Sequence, residues 1–439
     1  MKIAVNLKEN SWAKIGALWM LLLAVLKVTT MIQVPFAVTN LLLIGVSFIL
    51  VMISYSENQE NKWESFIFIV AFVLHMIILF ADLYGKNYVS VLYSGKDTEV
   101  FFDIAKKYYH GDFSETLTFY PYFLNFFFKF IGVNRVGVQY INVLAWCFSM
   151  ILMEKCCKEL EISGKLRFCA IFLMAFMPIY MCMSSILLRE SIIILMNICW
   201  FYCQIKWMKD GNHRYLLGCF IAPIVSTALH MSAIVFLGIT VFVLALYDFE
   251  KKQLRIQKKT VMILLAGIVG LVIFMLIPMT RRLITLKLPD FDEGFLNTIN
   301  ETIAIVSKSQ SGSMYLKDVY VNGFLDFFLQ TFVRIFYFFA SPLPVHWRGL
   351  ADTAAFAMSS CFYLFGVLIS LVTVFVRKKD PYRTLMWLIF LTISGINCWG
   401  VFNAATAMRH RDKMIGAGIL LIIYSANIVL DAWKNRRTK

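Results

Sequence analysis

Residues 64–84 read ESFIFIVAFVLHMIILFADLY, and residues 85–132 continue as GKNYVSVLYSGKDTEVFFDIAKKYYHGDFSETLTFYPYFLNFFFKFIG. The first stretch is long and apolar enough to cross a bilayer, which takes about 20 mostly apolar residues in a helix. The second stretch is the first long polar break in the chain, and it carries Asp97, Glu99 and Asp103. This order of an apolar segment and a long polar loop predicts a membrane protein with an outward-facing loop over the membrane surface.

The composition supports the same class of protein. Of the 439 residues, 60% are hydrophobic and 16% are charged, whereas a soluble domain has about 45–50% apolar residues. The net charge of +15 does not indicate nucleic-acid binding, because the basic residues are not clustered on a soluble module. The sequence has no nucleotide-binding motif, no zinc or disulfide spacing among its ten cysteines and no small-residue cleavage site of a signal peptide.

Apolar segments of spanning length recur along the whole chain, which predicts an all-α, polytopic fold in a single transmembrane domain over residues 1–439. We predict about twelve spanning helices, at residues 14–31, 36–55, 64–84, 136–154, 167–184, 188–205, 214–229, 231–248, 261–279, 354–376, 384–401 and 413–432.

The distribution of lysine and arginine predicts the orientation. With both termini inside, nearly all short basic loops fall on the inner side, as the positive-inside rule requires. The outer side then has a first long loop at residues 85–135 and a second at residues 280–353. The apolar runs Phe119–Phe130 and Phe324–Ala340 lie in these loops, and we predict that both form interfacial or re-entrant helices.

Asp97 and Asp103, in the first outer loop, are the candidate catalytic acids. Asp97 has two possible tasks: it takes the proton of an attacking hydroxyl, or it binds a divalent cation, Mg²⁺ or Mn²⁺. The alternative is a plain turn aspartate after Ser94 and Gly95, which is a common use of aspartate. No other cofactor is indicated.

Further polar residues interrupt apolar segments on the same predicted side. Arg189 and Glu190 form either a tight turn between two helices or a cavity-facing pair, since ionisable groups at membrane depth are costly and tend to be functional. His230, at the outer end of a helix, either completes that helix end or binds substrate.

Arginines dominate the remaining outer segments. Guanidinium groups bind phosphate oxygens bidentately, so an arginine-rich site beside lipid indicates a lipid-linked phosphate or pyrophosphate. Lipid headgroup binding is the alternative. The candidates for this role are Arg281, Arg282, Arg334, Arg348, Arg409, His410 and Arg411.

These motifs together resemble a family. The series DTEVFFDIAKKYYHGDF, YPYFLNFFFKFIG, SSILLRESIII, ALHMSAIVF, RIFYFFASPLPVHWRG and AMRHRDK looks like the polytopic glycosyltransferases of bacterial surface-polysaccharide synthesis, which include GT-C-type enzymes and the Wzy and EpsG-like polymerases. Asp97, Ala105 and Gly111 followed by Tyr120-Pro121 are similar to the first outer loop of GT-C enzymes, where an aspartate is catalytic. Arg189 with His230, Ser232 and Ala233 resembles EpsG-type proteins, although those have Arg-Gln where this chain has Arg189-Glu190.

The resemblance implies a GT-C-like fold with jaw-like outer amphipathic helices, in a bacterial cytoplasmic (inner) membrane. It implies transfer of a glycan from a polyprenyl phosphate or pyrophosphate on the outer face, as a repeat-unit polymerase for capsule, O-antigen or exopolysaccharide. Transfer of a single sugar and a flippase or transporter of lipid-linked oligosaccharide are the alternatives. The implied partners are polyprenyl-linked glycans, the bilayer and other polysaccharide-assembly membrane proteins, without nucleic acid.

Overall fold

A computed structural model describes residues 2–56, 62–115, 118–257, 260–263, 265–267, 269–270, 295–308, 313–347, 349–377 and 379–437. The predicted all-α fold is confirmed, since 80% of the structure is helical. The described strands are Tyr247–Asp248 and Gln253–Leu254, which pair antiparallel as a short ribbon.

Eleven helices precede this ribbon in the described part of the chain. They are α1 (Lys2–Met31), α2 (Phe36–Ser56), α3 (Lys62–Tyr84), α4 (Lys96–Tyr109), α5 (Tyr120–Ile131), α6 (Arg135–Glu159), α7 (Gly164–Phe176), α8 (Pro178–Ser185), α9 (Glu190–Asp210), α10 (His213–Leu229) and α11 (Val235–Leu246), with a 3₁₀ turn at Met231–Ile234.

The second half of the chain has fewer long helices among its described residues. The helices there include α12 (Phe295–Ser307), α13 (Phe324–Ala340), α14 (Leu350–Ala355), α15 (Cys361–Val376), α16 (Pro381–Asn397), α17 (Ala404–Arg411) and α18 (Ile415–Arg437), with 3₁₀ turns at Pro344–His346 and Asp412–Met414 and a π-helical segment at Phe356–Ser360.

Seven helical segments in the described part of the chain are long and apolar enough to cross a membrane: Lys14–Met31, Phe36–Ser56, Lys62–Tyr84, Arg135–Glu159, Glu190–Asp210, Asp352–Val376 and Ala404–Arg436. The helix pair α7 and α8 gives an eighth if the two count as one span, but it is bent by 51°. These long apolar helices are consistent with a multi-pass membrane protein.

Four of the twelve predicted spans differ from these segments or lie beyond them. Residues 214–229, 231–248 and 384–401 correspond to helices of 17 residues or fewer, α10, the turn with α11, and α16. Most of the predicted span at 261–279 lies outside the described residues.

Both apolar runs in the predicted outer loops form helices. Helix α5 has 12 residues and α13 has 17, which correspond to lengths of about 18 and 25 Å at 1.5 Å per residue. Both are shorter than the hydrocarbon core of about 30 Å, and neither is among the seven candidate spans. Helix α5 is followed by Gly132, whose φ of +68° is in the region that glycine adopts most readily.

The chain divides into two compact units. The first unit comprises residues 1–202 and 228–230, and the second comprises residues 203–227 and 231–439. Within the first unit, α3 and α6 run in opposite directions. Gln139 near the start of α6 donates a hydrogen bond to Asp82 near the end of α3. Seven residues further along α6, Trp146 stacks on His75, which lies seven residues before Asp82 in α3.

Within the second unit, α15 packs against α18, and α13 packs against α17. A small apolar cluster forms where Ile303 of α12, Val321 and Phe402 meet. The segments 313–315 and 402–404 are joined by backbone hydrogen bonds from Tyr315 to Phe402 and from Ala404 to Ser313. These bonds hold the second predicted outer loop against the turn that precedes α17.

Candidate functional site

The first unit contains a charged cluster where α4 meets the start of α6. The Arg135 guanidinium donates to the Thr98 carbonyl oxygen at 3.2 Å and to Glu99 Oε1 at 3.3 Å. Lys86 lies 2.8 Å from the same oxygen of Glu99. Partial burial disfavours the charge on Glu99, but the hydrogen bond from Lys86 and the charge of Arg135 outweigh burial and hold the pKa of Glu99 below its ordinary value.

A second carboxylate of this unit is buried. Asp82 is 1% exposed, and its Oδ2 accepts a hydrogen bond of 2.9 Å from Gln139 Nε2. The other hydrogen of that amide goes to the Ser185 carbonyl oxygen, at 2.8 Å. Gln139 therefore connects the last turn of α3 to the last residue of α8. Sequence reasoning did not select Asp82 or Gln139.

The linker between α8 and α9 is held by a neighbouring amide. Asn142 Nδ2 donates to the carbonyl oxygens of Ile186 and Leu188, at 2.6 and 2.7 Å. Ser191 Oγ donates in return to the backbone oxygen of Asn142, at 2.7 Å. These three bonds fix a non-helical segment among buried residues, where unpaired backbone groups would be costly.

Arg189 follows this linker directly. Its Nη1 donates to the Leu229 carbonyl oxygen at 3.0 Å, and its guanidinium carbon lies 5.7 Å from the centre of the Phe101 ring in α4. Glu190, the first residue of α9, is fully buried, whereas Arg189 is half-buried. Half-buried His230 comes immediately after Leu229. The structure thus brings Arg189, the backbone next to His230 and helix α4 together.

Asp97 and Asp103, the predicted catalytic acids, are both exposed and both on α4. Asp97 lies in the first turn of that helix, where a carboxylate also interacts favourably with the helix dipole. The buried face of α4 is formed instead by Thr98, Phe101, Ile104, Ala105 and Tyr108. The aromatic ring of Phe101 packs edge-on against Tyr120 of α5 at 5.2 Å.

Arg411, in the second unit, is fully buried and its N–H donors are engaged by the protein. Nη1 lies within hydrogen-bond distance of the carbonyl oxygens of Phe338, Phe339 and Ser341, at 2.7 to 3.2 Å. Nε and Nη2 donate to the hydroxyls of Ser359 and Ser360 at 2.7 to 3.0 Å. In this arrangement Arg411 joins the end of α13 to the start of α15.

The two residues before Arg411 are more accessible. Arg409 and His410 are half-buried in the last turn of α17. His410 Nδ1 lies 2.9 Å from Asn397 Oδ1, at the end of α16. A cation in the last turn of a helix also interacts favourably with the negative end of the helix dipole.

Arg334 is 1% exposed in α13. Its Nη2 donates to the Val319 carbonyl oxygen at 2.8 Å and to Gln330 Oε1 at 3.2 Å. The guanidinium carbon lies 4.4 Å from the ring centre of Trp399 and 5.0 Å from that of Phe402. Cation–π contacts of this kind stabilise a desolvated guanidinium. Three further predicted phosphate-binding residues, Arg281, Arg282 and Arg348, lie outside the described residues.

Sequence reasoning also missed a line of ionisable residues on α3. Glu64, His75 and Asp82 are each at most 1% exposed. Their spacings of 11 and 7 residues bring all three to one face of a helix with 3.6 residues per turn. That spacing was the available signal, because ionisable residues inside a spanning segment are usually functional.

The described residues contain no group of three or more His, Cys, Asp and Glu side chains arranged to hold a metal ion. No protein-family model matches the chain, and no curated protein or solved structure is significantly similar to it.

Proposed function

We propose that the protein is a membrane glycosyltransferase of bacterial surface-polysaccharide synthesis. In this proposal it spans the cytoplasmic membrane about twelve times with both termini inside, and α4, α5 and α13 are jaw-like helices at the outer surface. The donor is a glycan on polyprenyl phosphate or pyrophosphate, since no nucleotide donor is supplied on that side. The leading activity is polymerisation of repeat units, with transfer of a single sugar as its closest variant.

One observation supports this proposal most strongly. Arg189, which interrupts an apolar segment, lies against the Phe101 ring of α4, and α4 is the helix that carries Asp97 in its first turn. The first unit therefore combines an exposed acid, a guanidinium and several aromatic rings on neighbouring elements. The acid can accept the proton of a sugar hydroxyl, the guanidinium can bind an anionic leaving group, and the aromatic rings can pack against a sugar ring.

In the proposed reaction, Asp97 takes the proton of the acceptor hydroxyl as its oxygen attacks the anomeric carbon of the donor. A new carbon–oxygen bond forms, and the bond from that carbon to the phosphate oxygen breaks. Arg189 neutralises the negative charge of the departing phosphate, and His230 orients the donor. Binding of a divalent cation by Asp97 is the alternative to this direct proton transfer.

The second unit contributes further candidates for binding anionic lipid headgroups. Arg409, with its partly accessible position beside His410, is the best placed of those described. Arg411 is assigned to holding α13, α15 and α17 together, because protein groups engage its donors. Arg281, Arg282 and Arg348 retain their proposed phosphate-binding role on the sequence argument alone.

A flippase or transporter for lipid-linked oligosaccharide is the second candidate. It is favoured by the buried Glu64, His75 and Asp82 on one face of α3, because lines of Asp, Glu and His inside the membrane are typical of proton-coupled transporters.

The test replaces Asp97 with Asn and measures polymer length and lipid-linked intermediates in cells that depend on the variant. We expect polymer to fall by about 10²- to 10⁴-fold, the usual contribution of a general base, with single complete repeat units accumulating on the outer face. An incomplete unit would indicate single-sugar transfer, and complete units on the inner face would indicate a flippase. Asp112→Asn is the matched control, since Asp112 is an exposed residue of the same loop that bonds locally to Ser114.

A further inference from the structure

The Asp82–Gln139–Ser185 group contains three buried oxygen atoms that the hydrogen bonds described above do not use. They are Asp82 Oδ1, Gln139 Oε1 and Ser185 Oγ, and none has a hydrogen-bond partner among the described residues. All three residues are at most 1% exposed. Buried polar atoms in native structures nearly always have a partner, so such a group indicates a small bound species.

The orientation of the Gln139 amide is fixed by its neighbours. Its nitrogen lies between two acceptors, Asp82 Oδ2 at 2.9 Å and the Ser185 carbonyl oxygen at 2.8 Å, and an amide oxygen there would face both of them unfavourably. Gln139 Oε1 must therefore be the free atom. The unused atoms are thus a carboxylate oxygen, an amide oxygen and a hydroxyl, which are all ligands of hard cations.

Two helix ends add to the negative potential at this place. Asp82 is in the last turn of α3, and Ser185 is the last residue of α8. A helix C-terminus carries a partial negative charge that favours a cation. Helix α8 is also one half of a bent helix pair, and interrupted membrane helices bind Na⁺ or protons in transporters.

Among the described residues, no positive side chain forms a direct ion pair with the Asp82 carboxylate. The charge of Asp82 acts on Arg135, but that guanidinium donates to Thr98 and Glu99. Among the bonds described, Asp82 receives its one hydrogen bond from a neutral amide. A buried carboxylate in this situation is costly unless a further positive charge compensates it.

We propose that these three oxygens bind one Na⁺ ion. A monovalent ion fits because the group has one carboxylate and otherwise neutral oxygens, whereas calcium sites usually have more than one carboxylate and magnesium usually keeps several water ligands. The ion joins the end of α3 to the end of α8, immediately before the linker that carries Arg189. The site is independent of the proposed transferase activity, because its oxygens come from groups that the proposed reaction does not use.

The test measures ²²Na⁺ binding to the purified full-length protein in lipid nanodiscs with choline as the background cation. We expect saturable binding of about one ion per chain, since the site has one carboxylate. Asp82→Asn should abolish it, whereas Asp210→Asn should not; Asp210 is a carboxylate at the end of α9 that pairs with Lys206.

Ser185→Ala gives a second variant, because it removes one ligand and leaves the charge in place. We expect it to bind Na⁺ roughly tenfold more weakly, a loss typical of removing one partner around a bound ion. Absence of saturable binding to the unmodified protein would overturn the proposal and leave the three oxygens to a buried water. Equal binding by the Asp82→Asn variant would also overturn it.

Discussion

Asp82 and Gln139 are 57 positions apart in the chain and are joined by a hydrogen bond of 2.9 Å. The bond connects the end of α3 to the start of α6, and the second hydrogen of the same amide reaches the end of α8. Three helices of the first unit therefore meet at one neutral side chain. Its two acceptors are a carboxylate and a backbone carbonyl, so both depend on Gln139 for a donor.

The first prediction concerns this junction. Gln139→Leu leaves the buried Asp82 and the Ser185 carbonyl without their donor, and we expect a loss of about 1–3 kcal/mol for each group left unpaired. Gln139→Glu should be more destabilising still, because it adds a second carboxylate beside Asp82. Thermal unfolding in detergent measures both. A Gln139→Glu variant as stable as the original protein would contradict the arrangement.

The second prediction separates a structural arginine from a ligand-binding one. Arg411→Lys cannot reproduce the fork of donors to three carbonyl oxygens and two serine hydroxyls, so we expect a loss of about 3 kcal/mol or more. Arg409→Lys should lower the unfolding temperature by less than Arg411→Lys does, since it keeps the positive charge at a half-buried position. The measurement is thermal unfolding of the two variants side by side.

A binding assay tests the ligand-binding role of Arg409. Arg409→Lys should weaken binding to vesicles that contain polyprenyl phosphate, because lysine does not bind phosphate bidentately. Unfolding of the Arg409→Lys variant at a lower temperature than the Arg411→Lys variant would reverse the roles assigned here.

The third prediction concerns Asn142, which acts through the linker before Arg189. Asn142→Asp replaces two donors with a carboxylate that faces the Ile186 and Leu188 carbonyl oxygens. We expect transfer activity to fall by about 10²-fold through displacement of the guanidinium, the size of effect that a 1 Å misplacement causes. Asn142→Gln, which keeps the amide, should retain more activity than the aspartate variant. Equal activity of the two variants would contradict a positioning role, and kcat and KM measured separately for each variant distinguish loss of positioning from loss of binding.

The fourth prediction is a pH dependence. The pKa of Glu99 is lowered in the folded protein, so its ion pairs with Lys86 and Arg135 stabilise the fold above the ordinary pKa of glutamate. This contribution is lost as the pH falls through the lowered pKa. Glu99→Gln should therefore unfold at a lower temperature than the original protein at neutral pH, and the difference should shrink in acid. A difference that grows in acid would contradict the sign.

Much of the fold could be predicted from the sequence, because the length of an apolar segment alone indicates a spanning helix. Residues 64–84 and 136–154 are examples, since each lies within one long helix of the structure. The segment 384–401 was predicted to begin three residues late and to end four residues late relative to α16, because hydrophobicity does not mark where a helix starts or stops. The bend between α7 and α8 falls at Met177-Pro178, where proline removes a backbone donor.

Less of the candidate site could be predicted from the sequence. Arg189 was selected because it interrupts an apolar segment, but its partner carbonyl at Leu229 is 40 positions away and has no sequence signal. Arg411 was selected as a phosphate ligand, and nothing in its sequence context indicated that carbonyl oxygens about 70 positions away engage it. Asp82 and Gln139 were missed because their pairing depends on the packing of α3 against α6.

The central claim is transfer of a glycan from a polyprenyl carrier, and its most direct test uses purified protein in nanodiscs with a polyprenyl-pyrophosphate-linked repeat unit. The measurement is the amount of free polyprenyl pyrophosphate released, together with the length of the glycan product. We predict that the unmodified protein and the Asp112→Asn variant release the carrier and lengthen the glycan, and that the Asp97→Asn variant does neither. Equal release by the Asp97→Asn variant, or an unchanged glycan with every form of the protein, would contradict the account.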